Sequence, residues 1–342
     1  MSKLGKISNF EEKYIMLLIN ELLPQTRIHP LPTFSTDKQK VWVKREDEAS
    51  FGISGGKMRK YASILAFLEK EKIEEVYIIG GANSNNVVGL LQVLNERKIQ
   101  AWIYAKESNL TEAKGNAFLL KLLAKSTQIR WQSRDCTTED LVEIAQNDLT
   151  LSAKKGYLLP EGASCEPAVY GSASLLDDIE RNEKETLHTT FDHIFIDSGT
   201  GLTAATLAYC LQMAGRNTQL HCVHIAGNEK EFEQQGEIVK KAFNSSGFFN
   251  SSELLKSSEL LKKPHLHHYF PATAKSFGSV NSTIKQEIYR LAQEEGLLCD
   301  PIYSAKLFYT ARKILQTADI EGNILLIHSG GGTGLMGFHQ IL

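Results

Sequence analysis

Through most of the chain, short runs rich in β-branched and aromatic residues alternate with longer stretches whose apolar positions recur at helical spacing. The runs are VWVKRED, VYIIGG, AWIYAK, QIRWQ, YLLPEG, HIFIDSG, LHCVHIAG, HLHHYF and ILLIHSGG. The helical stretches include one opening at Lys57 and, further on, SNNVVGLLQVLNERK, GNAFLLKLLAK, TAATLAYCLQMAG, STIKQEIYRLAQEEG and SAKLFYTARKILQ. This order predicts βαβ crossovers on open, mostly parallel sheets, an α/β fold. Sheets of that kind bind ligands beyond the carboxyl ends of their strands.

Turn residues concentrate at those ends. Three runs lead straight into small polar clusters: IIGGANSNN (78–86), IDSGTGLTAA (196–205) and LIHSGGGTG (326–334). A fourth cluster, SGGK (54–57), follows the first run. Repetition of one device points to one shared pocket. The stretch 243–264 is Ser-rich with a short local duplication, SSELLKSSELLK, and reads as a surface excursion.

Composition narrows the class. With 342 residues the chain exceeds the size at which a single core keeps growing, so two domains are expected. A net charge of −2 gives no electrostatic case for nucleic acid or an anionic membrane as the main partner. The five cysteines are scattered without a CxxC pair, which argues against a disulfide framework or a zinc knuckle and for reduced thiols in the cytoplasm. The amino terminus has no apolar core with a cleavage site, and no run reaches the ~20 apolar residues that span a bilayer.

In DSGTGLTAATLAYC, the residues Gly199, Thr200, Gly201, Leu202 and Thr203 follow a strand and open a helix without early charge. Backbone N–H groups and two hydroxyls at such a place form a phosphate cup, although ordinary tight packing produces similar turns. The same letters satisfy GxGxxA, the dinucleotide fingerprint, so a nicotinamide-dependent oxidoreductase is a rival reading. The acidic residue that reading needs comes only at Glu229, late and behind a glycine. The Walker pattern fails, because no Ser or Thr follows Lys57. In HLHHYF, His265 and His267 share one strand face, but no Cys, Asp or Glu stands near in sequence to complete a ligand set with them or with His268. No metal is expected there.

Lys57 stands at a helix N-terminus, which favours anions rather than cations. A lysine amine becomes a nucleophile when a tight setting lowers its pKa, and pyridoxal 5'-phosphate needs such an amine together with a separate phosphate cup. The glycine turns supply the cup, and GGANSNN could hold the ring oxygen or a substrate carboxylate. All parts of such a site are present.

The motifs VKREDEASFGISGGKMRK, IIGGANSNN, LPEGAS, IDSGTGLT, LLCDPIYSAK and LLIHSGGG stand in this order over about four fifths of the chain. In them the chain resembles the fold-type-II pyridoxal phosphate enzymes, the tryptophan synthase β-like superfamily. It is most similar there to the 1-aminocyclopropane-1-carboxylate deaminase and D-cysteine desulfhydrase family. The resemblance implies a large cofactor-binding domain (1–58 plus 165–342) and a small inserted α/β domain (59–164). It also implies that Lys57 is the Schiff-base lysine, that Ser84 is the active-site serine and that Asn85 lies at the ring's hydroxyl. Gly199 to Thr203 then match the phosphate loop, and Tyr303 matches a tyrosine over the ring. Asn83, Ser84, Asn85 and Asn86, together with Gly162, Ala163, Ser164 and Tyr303, are expected on the substrate side.

Three departures stand out. Gly56 occupies the place of an asparagine before the lysine, Phe277 that of a second tyrosine, and Ser304 that of a glutamate after Tyr303. A carboxylate at the pyridine nitrogen keeps it protonated and makes a strong electron sink, which suits the opening of a cyclopropane. A serine there, Ser304 or Ser329, suits β-elimination. The reading is therefore a pyridoxal phosphate-dependent lyase on a small amino acid, most like D-cysteine desulfhydrase. The alternatives are 1-aminocyclopropane-1-carboxylate deaminase, the nicotinamide enzyme above, and a ligand-binding relative without turnover. A homodimer is the usual state for soluble enzymes of this size.

Overall fold

The computed structural model describes Leu23, residues 25–50, 54–108, 113–246 and 265–338, Gln340 and Leu342. The amino-terminal stretch and the Ser-rich stretch beyond residue 246 lie outside the described residues. Ten strands are described: β1 (Ile28–Pro30), β2 (Gln39–Lys44), β3 (Glu75–Ile79), β4 (Gln100–Lys106), β5 (Ile129–Gln132), β6 (Gly156–Leu159), β7 (His193–Ser198), β8 (Gln219–His224), β9 (Leu266–Tyr269) and β10 (Gly322–Ile327). They form a six-stranded sheet in the order β1-β2-β10-β7-β8-β9 and a four-stranded sheet in the order β5-β4-β3-β6. The smaller sheet is parallel throughout, as its pairings show. In the larger sheet only β1 runs against its neighbour. All nine runs singled out in the sequence are strands. The tenth, β1, is three residues ending in a proline, too short to show alternation.

The helices are α1 (Lys57–Lys70), α2 (Asn85–Glu96), α3 (Gly115–Leu123), α4 (Thr138–Leu151), α5 (Glu166–Asn182), α6 (Leu202–Met213), α7 (Glu229–Ser246), α8 (Ser282–Glu295), α9 (Ser304–Thr317) and α10 (Gly332–Met336). They cover the sheets, which is why β3 is buried along its whole length and reads as an unbroken apolar run. Among the described residues no helix is long and apolar enough to cross a membrane.

The start of α1 is fixed from two directions. At its crossing with α5, Gly171 lies so close that an added Cβ would stand 1.7 Å from the Arg59 carbonyl oxygen. The Gly171 N–H donates to Ser63 Oγ at 3.0 Å, and the two helices touch backbone to side chain. Beside this crossing, a buried set of four charges ties α1 to β2 and α5. Arg59 makes a two-pronged pair with Glu46 at 2.7 Å on both arms, while Lys44 Nζ reaches Asp178 at 2.8 Å. Arg59 also bonds Asp178, so each carboxylate faces a cation and no net charge is stranded. Lys57 is thereby held at a set place, two residues ahead of Arg59 on α1.

Candidate active site

Five strand ends meet in one cleft. The turn after β2 brings Ser54 to Lys57 against the end of β10: the Gly56 N–H donates to the Ser329 carbonyl at 3.0 Å. Gly55 has φ +54°, and a Cβ on it would lie 2.4 Å from that same oxygen, so the turn demands glycine. Gly56 also has a local reason. A Cβ there would crowd Glu46 Oε2 at 3.2 Å, and Glu46 is held by Arg59. A larger residue before Lys57 would press on the charge set that anchors α1.

The Lys57 amine forms no hydrogen bond or ion pair with any described residue, and it faces the ring of Tyr303, 5.8 Å from its centroid. That ring packs against Gly199, where an added Cβ would stand 3.3 Å away, and its other neighbour is Phe277, edge-on at 6.0 Å. Burial pushes the Tyr303 phenol well above its usual range, with Asp300 and Asp197 acting in the same direction, so the phenol keeps its proton.

On the small-sheet side, Ser84 caps α2, its Oγ accepting the N–H groups of Asn86 at 3.2 Å and Val87 at 3.3 Å. Its hydroxyl proton remains available. Asn85 Oδ1 accepts from Asn116 at 2.6 Å, and Asn116 also donates to the Asn83 carbonyl at 3.1 Å. Thr333, in the first turn of α10, donates to Asn116 Oδ1 at 2.8 Å and so clasps this loop to the element that follows β10. Asn86 is turned elsewhere: it is buried against Tyr61, whose hydroxyl donates to Asn86 Oδ1 at 3.1 Å. The sequence reading put all four of these residues at the substrate, but the fold spends Asn86 on the interior.

The turns after β6 and β7 face each other. Ser164 Oγ donates to Thr200 Oγ1 at 2.9 Å, and Gly162, with φ +67°, fits under Thr200 where a Cβ would stand 2.4 Å from it. Ala163 is buried behind this contact. Gly201 has φ +99° and turns the chain into α6, while the Leu202 side chain is buried in the core, leaving only its backbone for a ligand. Thr203 stands in the first turn of α6.

Of the two serines in question, Ser304 is engaged by Asp300. Its hydroxyl donates to Asp300 Oδ2 at 2.8 Å and is fully buried, because Asp300 caps the start of α9 and takes the nearest donors. Ser329, at the end of β10, is the one that stays half-open.

Two residues escaped the sequence reading. Lys60 lies one turn after Lys57 on the same helix and is buried; its amine donates to the Gly162 carbonyl at 3.3 Å and pairs with no described carboxylate. Burial, then the Lys57 charge, lowers its pKa to about 7. The three-residue spacing from Lys57 was the available signal. Asp197, at the end of β7, has a buried Oδ1 with no hydrogen-bond partner among the described residues. Burial pushes its carboxyl up, while the Ser329 hydroxyl and the Lys57 amine pull it down. Nothing in its sequence setting marked it.

A free amine, a buried second amine with no counter-charge among the described residues and a glycine turn at a helix start are the donor set that pyridoxal phosphate needs. The residues present fit that group. Comparison with known proteins agrees. The family model described as pyridoxal-phosphate dependent enzyme matches residues 19–330. A protein of Pyrococcus horikoshii named "Putative 1-aminocyclopropane-1-carboxylate deaminase" is 25% identical over 322 residues, covering 92% of each chain. The D-cysteine desulfhydrase of Serratia proteamaculans is 26% identical over 313 residues, 88% of this chain and 89% of that one. A crystal structure of a 1-aminocyclopropane-1-carboxylate deaminase homologue superposes with a TM-score of 0.79 at 22% identity, over 96% of this chain and 98% of that chain, and shows the shared fold. With a match across more than nine tenths of its length, this chain belongs to the pyridoxal-phosphate dependent enzyme family, and pyridoxal phosphate is its cofactor.

Proposed function

We propose that the protein is a lyase acting on a small amino acid, most like D-cysteine desulfhydrase, converting D-cysteine and water to pyruvate, sulfide and ammonia. The observation that carries this reading is the unpaired Lys57 amine beside a protonated Tyr303, with a second, buried lysine available for an anion. Lys57 holds the cofactor, and Lys60 with the Gly199–Thr203 turn and Thr200 holds its phosphate. Bound there, pyridoxal phosphate supplies an aldehyde that condenses with amines and a ring that draws electrons from the substrate α-carbon.

The chain's own residues do the rest. The Ser84 hydroxyl and the N–H groups at the start of α2 suit a substrate carboxylate, since a helix N-terminus favours an anion. Asn85, with its oxygen taken by Asn116, has its amide N–H₂ left for the ring hydroxyl. Lys57 Nζ would be the base that takes the substrate α-proton. Tyr303 Oη–H gives a hydrogen bond to the departing sulfur and stabilises the negative charge that develops on it. Ser329, rather than Ser304, is the serine for the pyridine nitrogen. Neither is a carboxylate, and this favours elimination over ring opening.

Purified protein incubated with D-cysteine is expected to release sulfide and pyruvate. Release of 2-oxobutyrate from 1-aminocyclopropane-1-carboxylate without sulfide from D-cysteine would overturn this substrate assignment in favour of the deaminase. Lys57→Ala is expected to lose both turnover and the visible absorbance of the bound cofactor.

A further inference from the structure

A second cluster of chemically active side chains lies outside the cleft, at the edge of the large sheet. Cys222 and His224 stand two residues apart on β8 and so share one face, and His268 on β9 pairs in register with Cys222. His224 Nε2 and His268 Nδ1 are 2.8 Å apart, with the rings stacked at 5.0 Å between centroids. The Cys222 sulfur and these two nitrogens all lie within 4.8 Å of one another. Read in sequence, the histidines of HLHHYF had no thiol within reach; the parallel pairing of β8 with β9 supplies one from about forty-five residues earlier.

We propose that Cys222, His224 and His268 form a binding site for a thiophilic divalent cation of the zinc type. One thiolate with two imidazoles is a borderline-soft donor set that selects zinc or cobalt over calcium or magnesium. Bond lengths of about 2.3 Å to sulfur and 2.0–2.1 Å to nitrogen put tetrahedral donors roughly 3.3–3.7 Å apart. The observed cluster reaches that spacing when the two rings part slightly and the sulfur closes in.

The surroundings suit an ion held for structure. Phe232 packs edge-on against both imidazoles, and Cys222 and His224 are buried. The fourth place of a tetrahedral ion is open to water, as Glu229 at the start of α7 is exposed to solvent and the His268 side chain is only part-buried. Binding replaces the thiol proton, which leaves to solvent, and moves the proton shared by the two imidazoles to an outer ring nitrogen. Charge and protons balance, and no redox change is involved. The ion would clip β9, the outermost strand, to β8.

The test is a cobalt titration of the full-length, cofactor-loaded protein after dialysis against a chelator, read as difference spectra against the same protein without cobalt. One equivalent of Co²⁺ is expected to give intense tetrahedral d–d bands and a sulfur-to-cobalt charge-transfer band, both removed by Zn²⁺. Cys222→Ser should abolish the charge-transfer band, and His268→Gln should weaken cobalt binding by at least about a hundredfold. His267→Gln, on the opposite face of β9, should change neither. His268→Gln is the deciding variant if the buried cysteine variant does not fold, as checked by circular dichroism. Absence of the charge-transfer band in the parent protein, its persistence in Cys222→Ser, or unchanged affinity in His268→Gln would overturn the proposal.

Discussion

At the scale of single residues, the cleft separates two lysines by environment. Among the described residues Lys57 has no hydrogen-bond or ion-pair partner and faces only the Tyr303 ring, whereas Lys60 is buried and donates to the Gly162 carbonyl. A buried amine pays a desolvation cost that an anion can offset, so Lys60→Met should weaken cofactor binding about 10–100-fold, equivalent to the ~1.5–3 kcal/mol of a hydrogen bond to a charged group. Equilibrium dialysis of pyridoxal phosphate measures it. Tyr303→Phe keeps the ring that packs on Gly199 and removes only the proton donor. It should leave the cofactor's absorbance intact while lowering turnover about 10²–10³-fold, the usual cost of removing one donor to developing negative charge. Equal loss of absorbance and turnover would mean that the phenol holds the cofactor instead.

At the scale of elements, α1 carries the lysines and α5 holds α1. Gly171 is the contact point, and its missing Cβ allows the two backbones to meet. Gly171→Ala would ordinarily favour a helix by about 1 kcal/mol, but here the methyl group collides with the Arg59 carbonyl. Overpacking should win, destabilising the protein by roughly 1–3 kcal/mol or more, with a matching fall in the urea midpoint. Arg59→Ala acts at the same crossing by a different route. It strands the Glu46 carboxylate in the interior and leaves Asp178 to Lys44 alone, with an expected cost of about 3–5 kcal/mol.

The four-charge set also shapes how the whole molecule responds to pH. Burial works to raise the Glu46 carboxyl, but the Arg59 guanidinium outweighs it and holds the group below its ordinary value of 4.5. Burial is likewise opposed at Asp178 by Lys44 and Arg59, which hold it below 3.8. Since the unfolded chain binds protons more readily at these groups, their stabilisation is full above the ordinary carboxylate range and is lost as pH falls through the depressed values. Urea midpoints should therefore decline below about pH 4.5, with a shallower slope in Glu46→Gln than in the parent. A slope unchanged by that substitution would assign the acid lability to other carboxylates.

The sequence by itself determined the alternation of strand and helix, the positions of nine of the ten strands, and the glycine turns that crowd the strand ends. These are local properties: periodicity and φ > 0 turns are written in neighbouring residues. Lys57 and the Gly199–Thr203 turn were legible for the same reason. Only the tertiary structure decided which side chains meet. It sent Ser304 to Asp300 and Asn86 to Tyr61, buried Lys60 against the Gly162 carbonyl, left Asp197 with an oxygen unpaired among the described residues, and carried Cys222 to His268. Partners separated by tens or hundreds of residues are chosen by sheet order and register, and no spacing along the chain encodes them.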